Sequence, residues 1–258
     1  MKQAIENFAR YRYLLFELVK KGIKIKYRRS YLGLLWTLLE PLLTMIVLTI
    51  VFGTLFGNDD PFFSVYILAG RLIYTLFSQS TTGALKSIQA NASMIKKVYV
   101  PKYMYPLSSI LYNYVIFLLS LIVLVVVAGV RGVKPTWHIL EGITTLCILL
   151  LLSFGVGMIL ATIGVFFRDM EYLWNVGLML IMYACAIFYY PEKIMNSGFS
   201  WILRYNPLYC LIENFRNAVF GNPMNIKAEM YALVFSFVTV IIGVLVFRKK
   251  QDNFILHL

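Results

Sequence analysis

Arg71 and Glu40 are the residues whose chemistry is most out of place in this chain. Arg71 stands about nine residues into the apolar run 62–82, and Glu40 six residues into the run 34–56. An arginine at mid-bilayer costs at least about 2.5–3.5 kcal/mol on insertion scales, so Arg71 has to face protein or water. Two chemistries fit. One is an Arg71–Glu40 ion pair joining two helices. The other is a charge lining a pathway for an anionic substrate. Tyr66, Tyr74, Phe77, Tyr183 and Phe188 add flat faces that can stack on sugar rings, beside the ordinary uses of aromatics in cores and interfacial belts. Arg168, Asp169 and Glu171 read first as a solvated turn between helices. Asp59 and Asp60 read as a turn. The sequence contains no GxxxxGK[ST], HExxH or GxSxG. The chain therefore carries no P-loop with which to hydrolyse ATP itself. His138 and His257 stand alone. Cys147, Cys185 and Cys210 have no metal-ligand or disulfide spacing and read as apolar filler.

The elements that must position these residues are membrane helices. Of the 258 residues, 60% are hydrophobic and 14% charged, with a mean hydropathy of +0.75. Soluble domains run at about 45–50% apolar and ~25% charged, so a soluble enzyme, a disordered chain and a disulfide scaffold are all disfavoured. Six spans are expected, roughly Leu34–Phe56, Phe62–Thr82, Pro106–Ala128, Leu140–Phe166, Tyr172–Tyr190 and Tyr231–Phe247. With that count, 17 of the 24 Lys and Arg fall on one side and six on the other, with Arg71 inside a span. The bias places both termini in the cytoplasm. The net charge of +12 fits topology and anionic lipid better than nucleic acid. The first ~30 residues are charged throughout and lack the short apolar core of a signal peptide. The expected fold is all-α and integral to the membrane.

Residues 4–28 place Phe8, Tyr11, Leu15, Leu18 and Ile25 on one helical face, with Gly22 on the same stripe. Lys20, Lys21, Lys24 and Arg28 lie opposite. This helix either lies on the inner leaflet or docks a cytoplasmic partner. Gly33 then permits a sharp bend, Trp36 sits at interfacial depth, and Pro41 is expected to kink the first span. Gly155 and Gly157 predict close packing of the fourth span. Residues 191–230 form the longest connection on the outer side. Phe199, Trp201, Ile202, Leu203, Leu208, Leu211 and Phe215 are too apolar for a solvated loop. The pattern predicts two short helices broken at Asn206–Pro207 that dip back into the membrane as re-entrant helices and act as an external gate.

An ordered set of motifs runs through these elements. It comprises Tyr27-Arg28-x-Ser30-x-Leu32-Gly33-x-x-Trp36 with Pro41, and Leu68-x-Gly70. Asn91-x-x-Met94-Ile95-Lys96-Lys97-Val98-x-x-Pro101 and Phe167-Arg168-Asp169 follow, then Asn206-Pro207-Leu208 and Phe215-Arg216. The set covers nearly the whole chain and resembles the permease subunit of type-2 ABC exporters for polysaccharides, such as O-antigen, teichoic acid and related capsule or cell-wall glycans. The resemblance implies a homodimer in the bacterial plasma (inner) membrane, with two copies of a separate P-loop ATPase. The chain itself would hold no cofactor, since ATP and Mg belong to the partner. The cargo would be a glycan on a polyprenyl diphosphate, moved from the inner to the outer leaflet. Residues 1–33 would be an interface helix and gate turn, and 34–258 the transport domain. Leu15, Leu18, Lys20 and Lys21, with Asn91, Ile95, Lys96, Lys97 and Pro101, would meet the ATPase. Tyr27, Arg28, Arg29 and Trp36 would form the cytoplasmic gate, joined by Glu40, Arg71, Tyr74 and Phe77 along the substrate path. Trp201, Asn206, Pro207, Phe215 and Arg216 would form the outer gate. Arg71 stands where the family usually has an uncharged residue. An exporter of drugs, small lipids or peptides is the alternative within transport. A membrane glycosyltransferase is less favoured, because Asp59, Asp60, Asp169 and Glu171 are dispersed.

Overall fold

A computed structural model describes residues 2–28, 30–56, 60–97, 100–196 and 198–257. Its described secondary structure is helical, with no strand among the described residues. The helices are α1 (Lys2–Tyr27), α2 (Trp36–Phe56), α3 (Phe63–Ala90), α4 (Ala92–Lys97), α5 (Met104–Val130) and α6 (Ile139–Phe166). They continue with α7 (Met170–Ala184), α8 (Glu192–Met195), α9 (Ser200–Arg204), α10 (Pro207–Phe220), α11 (Ile226–Lys250) and α12 (Phe254–His257).

Among the described residues, four stretches are long and apolar enough to cross a membrane: Gly33–Leu55, Met104–Val130, Ile139–Phe166 and Ile226–Leu256. The six expected spans therefore divide into two kinds. α3 is long enough, but it carries Arg71, Gln79, Thr81 and Lys86 and is the most buried helix of the bundle. Its polar residues face other helices, so hydropathy understates its place inside the protein. α7 has 15 residues, about 22 Å of helix, which is short of a ~30 Å hydrocarbon layer. It ends at Ala184 rather than continuing to Tyr190, because Ala186 adopts a positive φ of 46° and breaks the helix.

Around the girth, apolar side chains stay uncovered: Val47 and Leu55 on α2, Ile122 and Val125 on α5, Leu173 and Leu180 on α7, Val234 and Leu245 on α11. Water does not tolerate such a belt, and hydrocarbon does. One end of the bundle gathers Leu15 and Leu18 of α1, Ile95 of α4, Val165 of α6 and Phe247 and Phe254 of the C-terminal segment into one buried cluster. Both terminal segments therefore share an end, and that end also carries Lys96, Lys97, Arg168 and Arg248.

The turn into α2 is built as its sequence demands. Gly33 takes a φ of +50°, and its N–H donates to Ser30 Oγ at 3.2 Å. Pro41, inside α2, has no N–H for the Thr37 carbonyl. Ser120 Oγ of α5 donates to that carbonyl at 3.0 Å, so the acceptor released by the proline is satisfied by a neighbouring helix. At the far end, Asn206 caps α10: its side-chain oxygen accepts from the N–H of Leu208 at 3.0 Å and of Tyr209 at 3.3 Å, with Pro207 at the first helical position. The expected break at Asn206–Pro207 is present. The segment before it holds two short helices, α8 and α9, and the one after it a single buried helix of 14 residues.

Candidate functional site

A polar recess opens between the end of α1 and helices α2, α3 and α5. Lys26, Tyr27, Glu40, Arg71, Gln79 and Asn113 line it, with Thr37, Thr44, Thr75 and Ser120. Lys26 Nζ donates to Gln79 Oε1 at 3.1 Å, which ties the end of α1 to α3. Burial holds the Lys26 ammonium below the ordinary lysine range, and the Glu40 carboxylate pulls the other way. Tyr27, Glu40 and Arg71, expected along one path, thus share one recess.

The expected Arg71–Glu40 ion pair is not formed. Arg71 Nη1 instead donates to Met182 Sδ of α7 at 3.2 Å, and its guanidinium lies 5.5 Å from the Tyr74 ring. The reason is packing: α7 lies against α3 on the side to which Arg71 reaches. Tyr74 and Phe77 do not line this recess. Both are buried; the Tyr74 hydroxyl donates to Leu178 O at 2.8 Å, and Phe77 meets Trp174 edge-on at 6.3 Å. Trp36 is exposed at the start of α2 and Arg28 is exposed after α1. Arg29 lies outside the described residues.

The residues assigned to an ATPase surface split in two. Leu15, Leu18 and Ile95 are buried within this chain, so the middle of the apolar stripe of α1 packs on its own bundle, while Ile25 stays exposed. Lys20, Lys21, Lys96 and Lys97 are exposed at the same end. Asn91 Nδ2 donates to Ser87 O at 2.8 Å and closes α3 one residue before α4 begins. Pro101 is half-buried in the turn that leads to α5. The expected solvated turn at Arg168–Glu171 is partly engaged, since Glu171 is ion-paired with Lys86 of α3.

At the far end, Trp201 is exposed, whereas Phe215 and Arg216, also assigned to the outer gate, are buried. Arg216 Nε donates to Tyr66 O at 3.1 Å, Nη1 to Ala186 O at 3.1 Å and Nη2 to Ile187 O at 3.3 Å. The guanidinium lies 3.5 Å from the centre of the Tyr66 ring. The Tyr66 hydroxyl donates to Ala186 O at 3.2 Å and Tyr189 O at 3.1 Å. Arg216 and Tyr66 therefore hold the irregular segment after α7 against α3. A second buried node joins α6, α10 and α11: Glu229 accepts from Thr145 Oγ1 at 3.0 Å and Asn214 Nδ2 at 2.7 Å.

Sequence reasoning missed Gln79, Asn113 and Ser120 in the recess, and Glu229 at the far node. A signal existed for two of them. Asn113 and Ser120 are seven residues apart in an otherwise apolar run, which places two polar groups on one helical face.

Similarity to known proteins places this geometry. Residues 13–220 match the family model for the ABC-2 type transporter. The chain is 30% identical over 242 residues to the O-antigen export system permease protein RfbA of Klebsiella pneumoniae, covering 93% of each chain. It is 29% identical over 256 residues to the RfbA permease of Myxococcus xanthus, covering 98% of each. The polysialic acid transport protein KpsM of Escherichia coli is 24% identical over 236 residues, covering 90% of this chain and 91% of that one. Proteins of this family work with an ATPase partner. With its apolar helices and a family match running from α1 through α10, the chain is a multi-pass membrane transport protein and belongs to the ABC-2 type transporter family.

Proposed function

We propose that this chain is the membrane-spanning permease of an ATP-driven exporter of polysaccharide. The observation that carries the reading is its end-to-end similarity to O-antigen export permeases, 30% identical over 93% of both chains. The cargo is a cell-surface glycan on a polyprenyl diphosphate, moved from the inner to the outer leaflet of the bacterial plasma membrane. Two copies form the conduit between them, and each engages one P-loop ATPase, which holds the ATP and Mg. The chain crosses the membrane six times, with α3 and α7 completing the count and both termini in the cytoplasm. Residues 1–33 serve as interface helix and gate turn, 34–258 as transport domain, and 191–230 as the outer gate.

Within that scheme the basic end faces the ATPase. Lys96 and Lys97 on α4, with Lys20 and Lys21 on α1, meet it, while Leu15, Leu18 and Ile95 hold α1 and α4 firmly to the bundle. The recess beneath Tyr27 receives the anionic head of the carrier. Arg71 and Lys26 supply positive charge there against the one carboxylate of Glu40, and their bonds to phosphate are charge-assisted.

Removing the chain from its native cell is the test. The expected outcome is loss of the surface glycan, with lipid-linked polymer accumulating inside, and recovery on return of the wild-type gene. Lys96→Glu with Lys97→Glu inserts in the membrane at wild-type level but restores little surface glycan. An unchanged surface glycan in the deletion strain contradicts the assignment and turns attention to small lipids or drugs as cargo.

A further inference from the structure

α7 is attached to the bundle in an unusual way. Of its 15 residues, Leu178 is the one that is buried. Trp174, Ile181 and Met182 pack against the core only in part. Polar side chains add to that packing, in a ladder with α3. Arg71 Nη1 donates to Met182 Sδ at 3.2 Å, the Tyr74 hydroxyl donates to Leu178 O at 2.8 Å, and Trp174 Nε1 donates to Thr81 Oγ1 at 3.2 Å. The Lys86–Glu171 ion pair is the last rung. On α7 the four positions are 171, 174, 178 and 182, which the helical repeat puts on one face. On α3 they run in the opposite direction, so the two helices are joined along nearly the whole length of α7.

The ladder has a consequence at the basic end. α3 passes into α4 through the single residue Asn91, and Asn91 is bonded back to Ser87. Lys86 is thus the rung nearest α4. Its ion pair is half exposed on both sides. Exposed pairs of this kind contribute little to stability, so a loss of export on breaking it would not come from unfolding.

We propose that the α3–α7 ladder carries movement of α4 to α7, and that Lys86 and Glu171 are its positioning pair. The proposal rests on the reading of α4 as the surface that meets the ATPase. It gives Arg71 a second role, as the rung at the opposite end from Lys86.

The test uses the full permease–ATPase complex with Lys86→Glu, Glu171→Lys and the double exchange. Glycan exported, ATP hydrolysed and complex recovered are measured together. Each single variant is expected to assemble and hydrolyse ATP near the wild-type rate while exporting several-fold less glycan per ATP, and the exchange restores the ratio. A second readout needs no cargo. In a Cys147→Ser background, spin labels at Ser93→Cys on α4 and Leu180→Cys on α7 give a narrow distance distribution without further change and in the exchange, and a broad one in each single variant. Wild-type export per ATP in the single variants, or a fall in export matched by a fall in complex, overturns the proposal. So does an exchange that assembles without restoring the ratio. A wild-type complex that neither hydrolyses ATP nor exports glycan refutes the exporter reading instead, and the label distances still judge the ladder.

Discussion

Arg216→Ala is expected to lower the melting temperature of the detergent-solubilised protein by roughly 6–12 °C, and Gly70→Ala to do nearly the same. The guanidinium satisfies three carbonyls, those of Tyr66, Ala186 and Ile187, and is itself only 4% exposed. Truncation removes one donor from each: the Ala186 carbonyl keeps the Tyr66 hydroxyl and the Tyr66 carbonyl its place in α3, whereas the Ile187 carbonyl loses its arginine partner. A hydrogen bond to a charged group contributes about 1.5–3 kcal/mol, and relief of the buried charge offsets part of the three lost, so a net loss near 3 kcal/mol is expected. At about 2–4 °C per kcal/mol for a chain of this size, the stated shift follows. Gly70 enters because a methyl group there overlaps Arg216 Nη2. The guanidinium must then leave its carbonyls, or α3 and α10 must separate. The double variant separates this account from two unrelated defects. Without the arginine the three atoms nearest that methyl are gone, so Gly70→Ala adds little to Arg216→Ala. Arg216→Lys keeps the charge but offers no planar fork, and it should fall close to the alanine variant.

The second large effect lies where α6 crosses α11. A Cβ at Gly155 would stand 2.6 Å from the Val240 backbone nitrogen and 2.6 Å from Thr239 Oγ1; one at Gly243 would stand 2.6 Å from Gly155 O. Backbone cannot yield as a side-chain tip can. Either alanine therefore forces the two helices apart along their contact. Overpacking of this kind costs about 1–3 kcal/mol, and here it also loosens the Glu229 node, which spans the same pair of helices. Gly177 on α7 is the matched control. A Cβ there meets Trp174 at 3.8 Å, an ordinary contact. Gly177→Ala is expected to be neutral or to stabilise by up to about 1 kcal/mol through helix propensity alone. Thermal unfolding followed by monodisperse recovery ranks the three variants, and equal losses at Gly155, Gly243 and Gly177 contradict the packing account.

Local chemistry was legible in the sequence, and long-range partnership was not. Asn206–Pro207 announced a helix start because the cap and the fixed proline φ act within four residues. Gly33 announced a bend for the same reason. The apolar stripe of α1 was equally plain, but a stripe does not name what it covers; at Leu15 and Leu18 it covers this chain, and at Ile25 it stays exposed. Arg71 was legible as a charge that avoids lipid. Its partner was not, because Met182 stands 111 residues away and is chosen by the docking of α7 on α3. Pro41 told that the Thr37 carbonyl would lack its helical donor, while the hydroxyl that satisfies it comes from Ser120, 83 residues on. Hydropathy also misdirected in one place. α3 reads as the more polar span, yet it is the centre of the bundle, since polar residues inside a membrane protein are paid for by neighbouring helices rather than by water.

The most direct test of the exporter reading is ATP-dependent movement of lipid-linked glycan by the purified complex. The tagged chain is recovered from its native membrane in mild detergent and its companions are identified. It is then reconstituted in vesicles carrying polyprenyl-diphosphate-linked polysaccharide on one leaflet. The account predicts recovery with a P-loop ATPase at equal amounts, and glycan reaching the opposite leaflet only when ATP is supplied. Recovery of the chain with no ATPase, or transfer at the same rate without ATP, would contradict it.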